Sequence, residues 1–217
     1  MKKFLKLTTV VVSMVMALTF VSCANGNENG QLNLVGTYGL SKVEDIEKDS
    51  NGETSFTMTM PTSTSIHKYG TQKYIDGETT TVEEDYTVTK TEGGYSFNWA
   101  KYNINGQAAS EDAKTQQEEL FDDKTWNGYT ALFAMTFTTN ADGTWSDNSE
   151  SASSGTYTVD EANSKVTMTT LIEEGNKLDE PKIEELTYSD NGKTFVFVEE
   201  ESSVDGTYKM TKTFTRK

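Results

Sequence analysis

The sequence predicts an all-β fold: an antiparallel up-and-down barrel of about eight to ten strands with one short helix insertion. Three observations predict it. Apolar and polar residues alternate with period two through most of the chain, and the residue types are Thr, Val, Tyr and Phe, which suit a pleated, half-buried surface. Asn-Gly and Asp-Gly pairs recur between these stretches, and both tolerate the positive φ of tight hairpin turns. Only one segment carries a run of helix formers. A sandwich meets the same pattern, but a barrel also removes the sheet edges that invite aggregation.

Taken in order, the period-two stretches place strands near 33–44, 53–60, 79–90, 94–102, 129–140, 143–147, 153–159, 164–172, 183–190, 193–200 and 206–215. Phe56-Thr57-Met58-Thr59-Met60, Phe133-Ala134-Met135-Thr136-Phe137 and Val166-Thr167-Met168-Thr169 show the alternation most plainly. Turns are expected at Asn51-Gly52, Asp76-Gly77, Asn105-Gly106, Asn127-Gly128, Asp142-Gly143, Asn191-Gly192 and Asp205-Gly206. Residues 61–78 lack a clean period and read as a long loop or a weak edge hairpin. The helix is expected over 108–123, with Ser110 as its cap and acids in its first turn. Its apolar stripe is thin (Ala109, Ala113, Leu120, Phe121), so it should pack lightly, across a barrel mouth.

The chain has 217 residues and a formal net charge of −15, with 34 acids against 19 bases, one His and one Cys. Such a charge repels phosphate backbones, which excludes nucleic acid as a partner. One cysteine cannot form an internal disulfide or a cysteine-rich zinc site, and one histidine leaves little material for His-based catalysis. Adjacent acids such as Glu83-Glu84-Asp85 and Glu199-Glu200-Glu201 are expected in so acidic a chain, and neighbours on a strand face opposite ways. The stretch from Asn140 to Asp147 lacks the closing Glu of a calcium loop and reads as a hairpin turn. His67 has no acid or Cys within four residues and reads as a surface residue. No enzyme activity, metal or cofactor is expected.

The N-terminus, Met1-Lys2-Lys3-Phe4-Leu5-Lys6 followed by an apolar stretch to Val21, has the charge and length of a signal peptide, short of the ~20 residues of a spanning helix. It ends in Phe20-Val21-Ser22-Cys23, which resembles the lipobox of bacterial lipoproteins, with Phe20 where Leu is usual. The resemblance implies cleavage before Cys23 and lipidation (palmitate among the acyl chains) of that cysteine. More than one acyl chain makes attachment to a membrane stable. Residue 24 is Ala, not the Asp that resembles an inner-membrane retention signal, which favours the outer membrane, on its periplasmic or surface face. Residues 1–22 then form the signal peptide, residues 23–31 a Gly/Asn-rich flexible tether, and residues 32–217 one domain. Removing Lys2, Lys3 and Lys6 leaves 16 basic against 34 acidic residues, a net charge of −18.

Leu34-Val35-Gly36-Thr37-Tyr38-Gly39-Leu40 resembles the opening strand of bacterial lipocalin-like lipoproteins. Asn140-Ala141-Asp142-Gly143-Thr144-Trp145, Gly155-Thr156-Tyr157-Thr158-Val159 and Phe195-Val196-Phe197-Val198-Glu199 resemble later hairpins of that family, in the same order. The match spans most of 34–215, with an insertion near 61–125. It implies a calycin-type antiparallel barrel on a bacterial envelope. In lipocalins an Arg of the last strand packs on a Trp of the first. Here Gly36 matches, Tyr38 takes the Trp position, and Arg216 is the only arginine, so the resemblance implies that Gly36, Tyr38 and Arg216 close the barrel's base.

Aromatic supply is generous, with 3 Trp, 10 Tyr and 10 Phe. The leading functional expectation is a barrel whose interior, lined by Phe97, Trp99, Phe133, Met135, Phe137 and Met210, holds a small hydrophobic ligand. Lys212 shares the apolar face of Tyr208, Met210 and Phe214. It could meet an interior acid or a ligand's anionic group, or snorkel to the rim. The alternative is a structural or interaction lipoprotein with a filled core.

Overall fold

The computed structural model describes residues 32–76, 78–149 and 151–217. The expected signal peptide, Cys23 and the tether lie outside the described residues. Eight antiparallel strands close a barrel in chain order. They are β1 (Gly36–Asp49), then β7 (Thr136–Thr139), β8 (Thr144–Asp147), β9 (Ser153–Asp160), β10 (Lys165–Glu173), β11 (Asn176–Ser189), β12 (Thr194–Ser203) and β13 (Gly206–Arg216). The ring closes where β13 pairs with β1, from Tyr38↔Arg216 to Asp49↔Gly206. Between β1 and β7 the chain makes β2 (Gly52–Thr62), β3 (Ser65–Asp76), β4 (Glu78–Thr91), β5 (Gly94–Ile104) and the short β6 (Gln107–Ala108), then helices α1 (Glu111–Glu119) and α2 (Asp123–Phe133). No helix among the described residues is long and apolar enough to cross a membrane.

β1 explains how a closed barrel carries an extra sheet. Its one edge pairs with β13 along most of its length. Its other edge pairs with β7 only over Gly36–Gly39, and with β2 from Lys42 to Asp49. The upper half of β1 would otherwise present unpaired amides, and β2 satisfies them. From β2 the wing continues to β3, β4, β5 and β6. β11 also parts company with its neighbour, pairing with β12 only over Leu186–Ser189. The barrel is therefore closed at its base and splits toward its mouth.

Tyr38, Phe137, Phe195 and Phe214 fill the base. Tyr38 stacks on Phe137 (centroids 5.0 Å apart) and meets Phe195 edge-on (4.7 Å), and Phe137 meets Phe214 edge-on (5.1 Å). Their aromatic edges and faces are arranged as the ring quadrupoles favour. Asn105 (φ 52) and Gly106 (φ 77) form the left-handed turn expected of an Asn-Gly hairpin.

The insertion differs from expectation at four points. Residues 61–78 read in sequence as a long loop or a weak edge hairpin, yet β3 is a full strand between β2 and β4. Its alternation is hidden because its inner face reads Ile66, Lys68, Gly70. Lys68 is paired with Glu84 at 2.7 Å, and Gly70 lies where a Cβ would come within 2.2 Å of the Ser55 carbonyl. A helix replaces the start of the strand expected over 129–140, so Phe133 ends α2 and Met135 lies between α2 and β7. Asn127-Gly128 lies inside α2 instead of in a turn. Asp122 caps this helix by accepting from the Thr125 amide at 2.8 Å, and burial of Trp126 and Phe133 offsets the roughly 1 kcal/mol that a helical glycine costs. Finally, the single helix expected over 108–123 is two. α1 is capped by Ser110 as expected, through its acceptance from the Ala113 amide, but Leu120 of its expected stripe is 75% exposed. Phe121 carries the packing, against Tyr95 and Phe97 of β5.

Candidate functional site

At the barrel's base, the register that sets Tyr38 opposite Arg216 also brings their side chains together. Arg216 Nη2 donates to the Tyr38 hydroxyl at 2.8 Å, and the guanidinium carbon stands 5.4 Å from the Tyr38 ring centroid. The hydroxyl in turn faces the carbonyls of Leu34 (2.8 Å) and Gly192 (2.7 Å). Arg216 Nη2 also donates to the Asn33 carbonyl. The lead-in segment is thus tied across the base. Gly36 makes room for this arrangement, because a Cβ there would approach Arg216 Nε to 3.2 Å. Burial raises the Tyr38 hydroxyl's pKa, opposed by the Arg216 hydrogen bond and charge.

Above this plug, where β11 leaves β12, a cavity of about 170 Å³ opens. Phe137, Trp145, Met168, Leu186, Phe197 and Phe214 supply its apolar wall, with Met135 and Thr136 beside them. The period-two pleat delivers these side chains inward from β7, β8, β10, β11, β12 and β13. Its polar members are Lys212, Glu184, Asp147 and Ser149. Lys212 Nζ stands 5.5 Å from the Phe197 ring centroid and 3.9 Å from Glu199 Oε2. Asp147 Oδ1 accepts from the Ser149 amide (2.9 Å), the Ser149 hydroxyl (2.8 Å) and the Ser153 amide (3.1 Å), so this one oxygen of the carboxylate is held by its own loop. Glu184 sits exposed at the rim, yet crowding by the wall raises its carboxyl pKa, opposed by the charge of Lys212.

Of the residues expected to line one interior, Met135, Phe137 and Lys212 meet at this cavity. Phe97 and Trp99 do not. They belong to the wing, where Trp99 packs on Tyr86 at 4.8 Å and donates from Nε1 to Glu118 at 2.7 Å. Phe133 is buried at the end of α2. Met210 lies one step beyond Lys212 on β13, opposite Asp45 and Glu199. Trp145, Met168, Leu186 and Phe197 were missed as lining. Phe195 and Phe197 alternate on β12, and that alternation is the signal that could have found Phe197. His67, read as an isolated surface residue, lies in β3 with Nε2 2.8 Å from Asp85 Oδ1 on β4. Among the described residues, no group of three or more His, Cys, Asp or Glu side chains could hold a metal ion.

Asp45 shares the concave face with Met210, and its carboxyl pKa is raised by burial, opposed by a hydrogen bond from Tyr208. Burial, helped by the Asp45 charge, pushes the Tyr208 hydroxyl up to about 12. A carboxyl whose pKa is higher folded than unfolded costs stability once pH passes the unfolded value, and that cost is fully expressed at neutral pH. Asp45→Asn keeps an acceptor for Tyr208 and removes the cost. It should stabilise the protein at pH 7 by a few tenths of a kcal/mol, the partly open site screening the effect. Denaturant unfolding at pH 7 and at about pH 3, where both forms are neutral, checks this, since the gain should vanish at the lower pH.

No family model, curated protein or solved structure matches this chain.

Proposed function

We propose that this protein is a lipid-anchored component of the cell envelope, held in the outer membrane through Cys23, whose barrel binds a small apolar ligand rather than catalysing a reaction. The observation that carries the binding role is the walled cavity above a filled base. Pockets for drug-sized ligands run to ~300–1,000 Å³, whereas an apolar cavity of ~150 Å³ takes a benzene-sized guest. At about 170 Å³ the cavity suits one ring-sized apolar group, with any longer part of the ligand leaving through the split mouth. The competing reading, a structural or interaction lipoprotein with a filled core, draws on the aromatic plug of the base.

A native mass spectrum of the protein purified without detergent separates the two. A retained small molecule, or saturable uptake of added toluene, supports the binding role, and failure of both favours the filled core. The anchor has its own test. Growth on labelled palmitate should label the protein, and Cys23→Ala should abolish the label and release the protein from the membrane fraction. Labelling that persists in the variant would overturn lipidation at that residue.

A further inference from the structure

Several stretches of sheet edge lack a neighbouring strand among the described residues, and the chain guards them unequally. Where the barrel splits, β11 has no partner on the β12 side before Leu186. That stretch carries Asp179, Glu180, Pro181, Lys182, Glu184 and Glu185, and the facing part of β12 carries Glu199, Glu200 and Glu201. Charge and proline are what keep an open edge from pairing with another chain.

The outer edge of the wing has neither guard. β5 pairs with β4 on one side, but on the other β6 reaches only Asn103 and Ile104. A bond from the Ala109 amide to the Tyr102 carbonyl (2.8 Å) ends that ladder, and the chain departs as α1. The two-residue turn between Thr91 and Gly94 decides which backbone groups of β5 point outward, because bonded and non-bonded pairs alternate along an antiparallel ladder. Lys90 and Tyr95 form a non-bonded pair, since the Lys90 amide donates the other way, to the Thr64 carbonyl at 2.9 Å. Tyr95, Phe97 and Trp99 therefore turn their N–H and C=O groups away from β4, with no backbone partner among the described residues. The helices cover the rings of β5, through Phe121 on Tyr95 and Phe97 and Glu118 on Trp99, and make no hydrogen bond to this stretch of its backbone. From Gly93 to Ser110 there is no acid, no proline and one lysine, in a chain with 34 acids. Ser96 and Asn98, which alternate with the rings on the outer face, are small and exposed.

We propose that β5 is an interface between two copies of this chain, pairing antiparallel with itself about a two-fold axis at Phe97. Phe97 then meets its own counterpart and Tyr95 meets Trp99 of the second copy, each pair exchanging both N–H···O bonds. Ser96 faces Asn98 of the second copy, so no acid meets an acid along the seam. That neutrality favours a second copy as the occupant, because molecules with a formal charge of −15 repel wherever their acidic surfaces meet. The seam is short beside a standard interface of roughly 1,200 Å² or more, so the dimer should be reversible, and added salt should strengthen it by screening the repulsion.

Sedimentation of the full chain over a concentration series tests this, with two charged double variants. Ser96→Lys with Asn98→Lys, and Ser96→Glu with Asn98→Glu, each set like charges opposite one another across the seam. Either should weaken self-association about tenfold or more, with an unchanged circular dichroism spectrum showing an intact fold. Mixed in equal amounts, the two variants should form a heterodimer, lysine facing glutamate. If the native chain stays monomeric up to about 1 mM, a second copy is not the occupant, and a strand of another protein is the one to seek. Self-association that is equally strong in both double variants, or variants that fail to pair when mixed, would place any dimer contact away from β5 and overturn the proposal.

Discussion

Replacing Lys68 by methionine should destabilise the protein by about 3–5 kcal/mol, because it leaves a buried carboxylate without its counter-charge. Lys68 Nζ lies 2.7 Å from Glu84 Oε1, and the two side chains are only 13% and 5% exposed. They pair across β3 and β4 on the wing's concave face, with the Lys68 ammonium 5.2 Å from the Phe56 ring centroid. A pair of this kind need not add net stability over well-packed apolar residues, since desolvating two charges is itself costly. The sharper expectation is therefore the double variant. Lys68→Met with Glu84→Leu should recover most of what the single change loses, giving a coupling above about 2 kcal/mol in a double-mutant cycle. Urea unfolding of the four proteins measures it. A single-variant loss below about 1 kcal/mol, or a double variant as unstable as the two losses added, would sink the argument.

That pair also shows where the sequence stopped being legible. Most barrel strands were readable because they carry their own alternation, as in Phe195 and Phe197 or Val166 and Met168, and because local turn chemistry marks their ends; β11 is the exception, since it starts at Asn176 instead of near 183 and is exposed along nearly all of its first half, which leaves no alternation to read. β3 was not readable either, since its inner face depends on two partners far along the chain: the Glu84 carboxylate that neutralises Lys68, and the Ser55 carbonyl that crowds Gly70. Neither leaves a periodic signal. α2 was hidden for a related reason. Phe133, Met135 and Phe137 alternate as a strand would, but burial of Trp126 and Phe133 on one helical face outweighs that local pattern. The candidate site was half legible. The inward residues of β13 and β7 follow from the pleat, so Phe137 and Lys212 could be named. Phe97 and Trp99 alternate just as well, and only the point at which β2 takes over the edge of β1 from β7 sends them to the wing instead of the barrel.

The division between a filled base and a hollow mouth makes the second large prediction. Phe195 and Phe197 are inward neighbours on β12, two residues apart, yet they face different surroundings. Phe195 is 0% exposed and sits in the plug, edge-on to Tyr38 at 4.7 Å and to Phe137 at 5.2 Å. Phe197 is half-buried and borders the cavity. Phe195→Ala removes a ring from a close-packed site that cannot collapse around the gap, because Tyr38 is pinned by Arg216 and the Gly192 carbonyl. It should cost about 3–5 kcal/mol, the range for a buried Phe→Ala change. Phe197→Ala deletes the same atoms where part of their surface already meets a void, so fewer contacts are lost and no new enclosed cavity forms. Its cost should stay under about 2 kcal/mol. The same change enlarges the cavity, so Phe197→Ala should admit a two-ring probe such as naphthalene, while Phe195→Ala should not gain that capacity without partial unfolding. Denaturant midpoints give the first comparison and naphthalene fluorescence the second. Equal losses at the two positions would mean that the barrel is filled alike from base to mouth, and the ligand site would lose its physical basis.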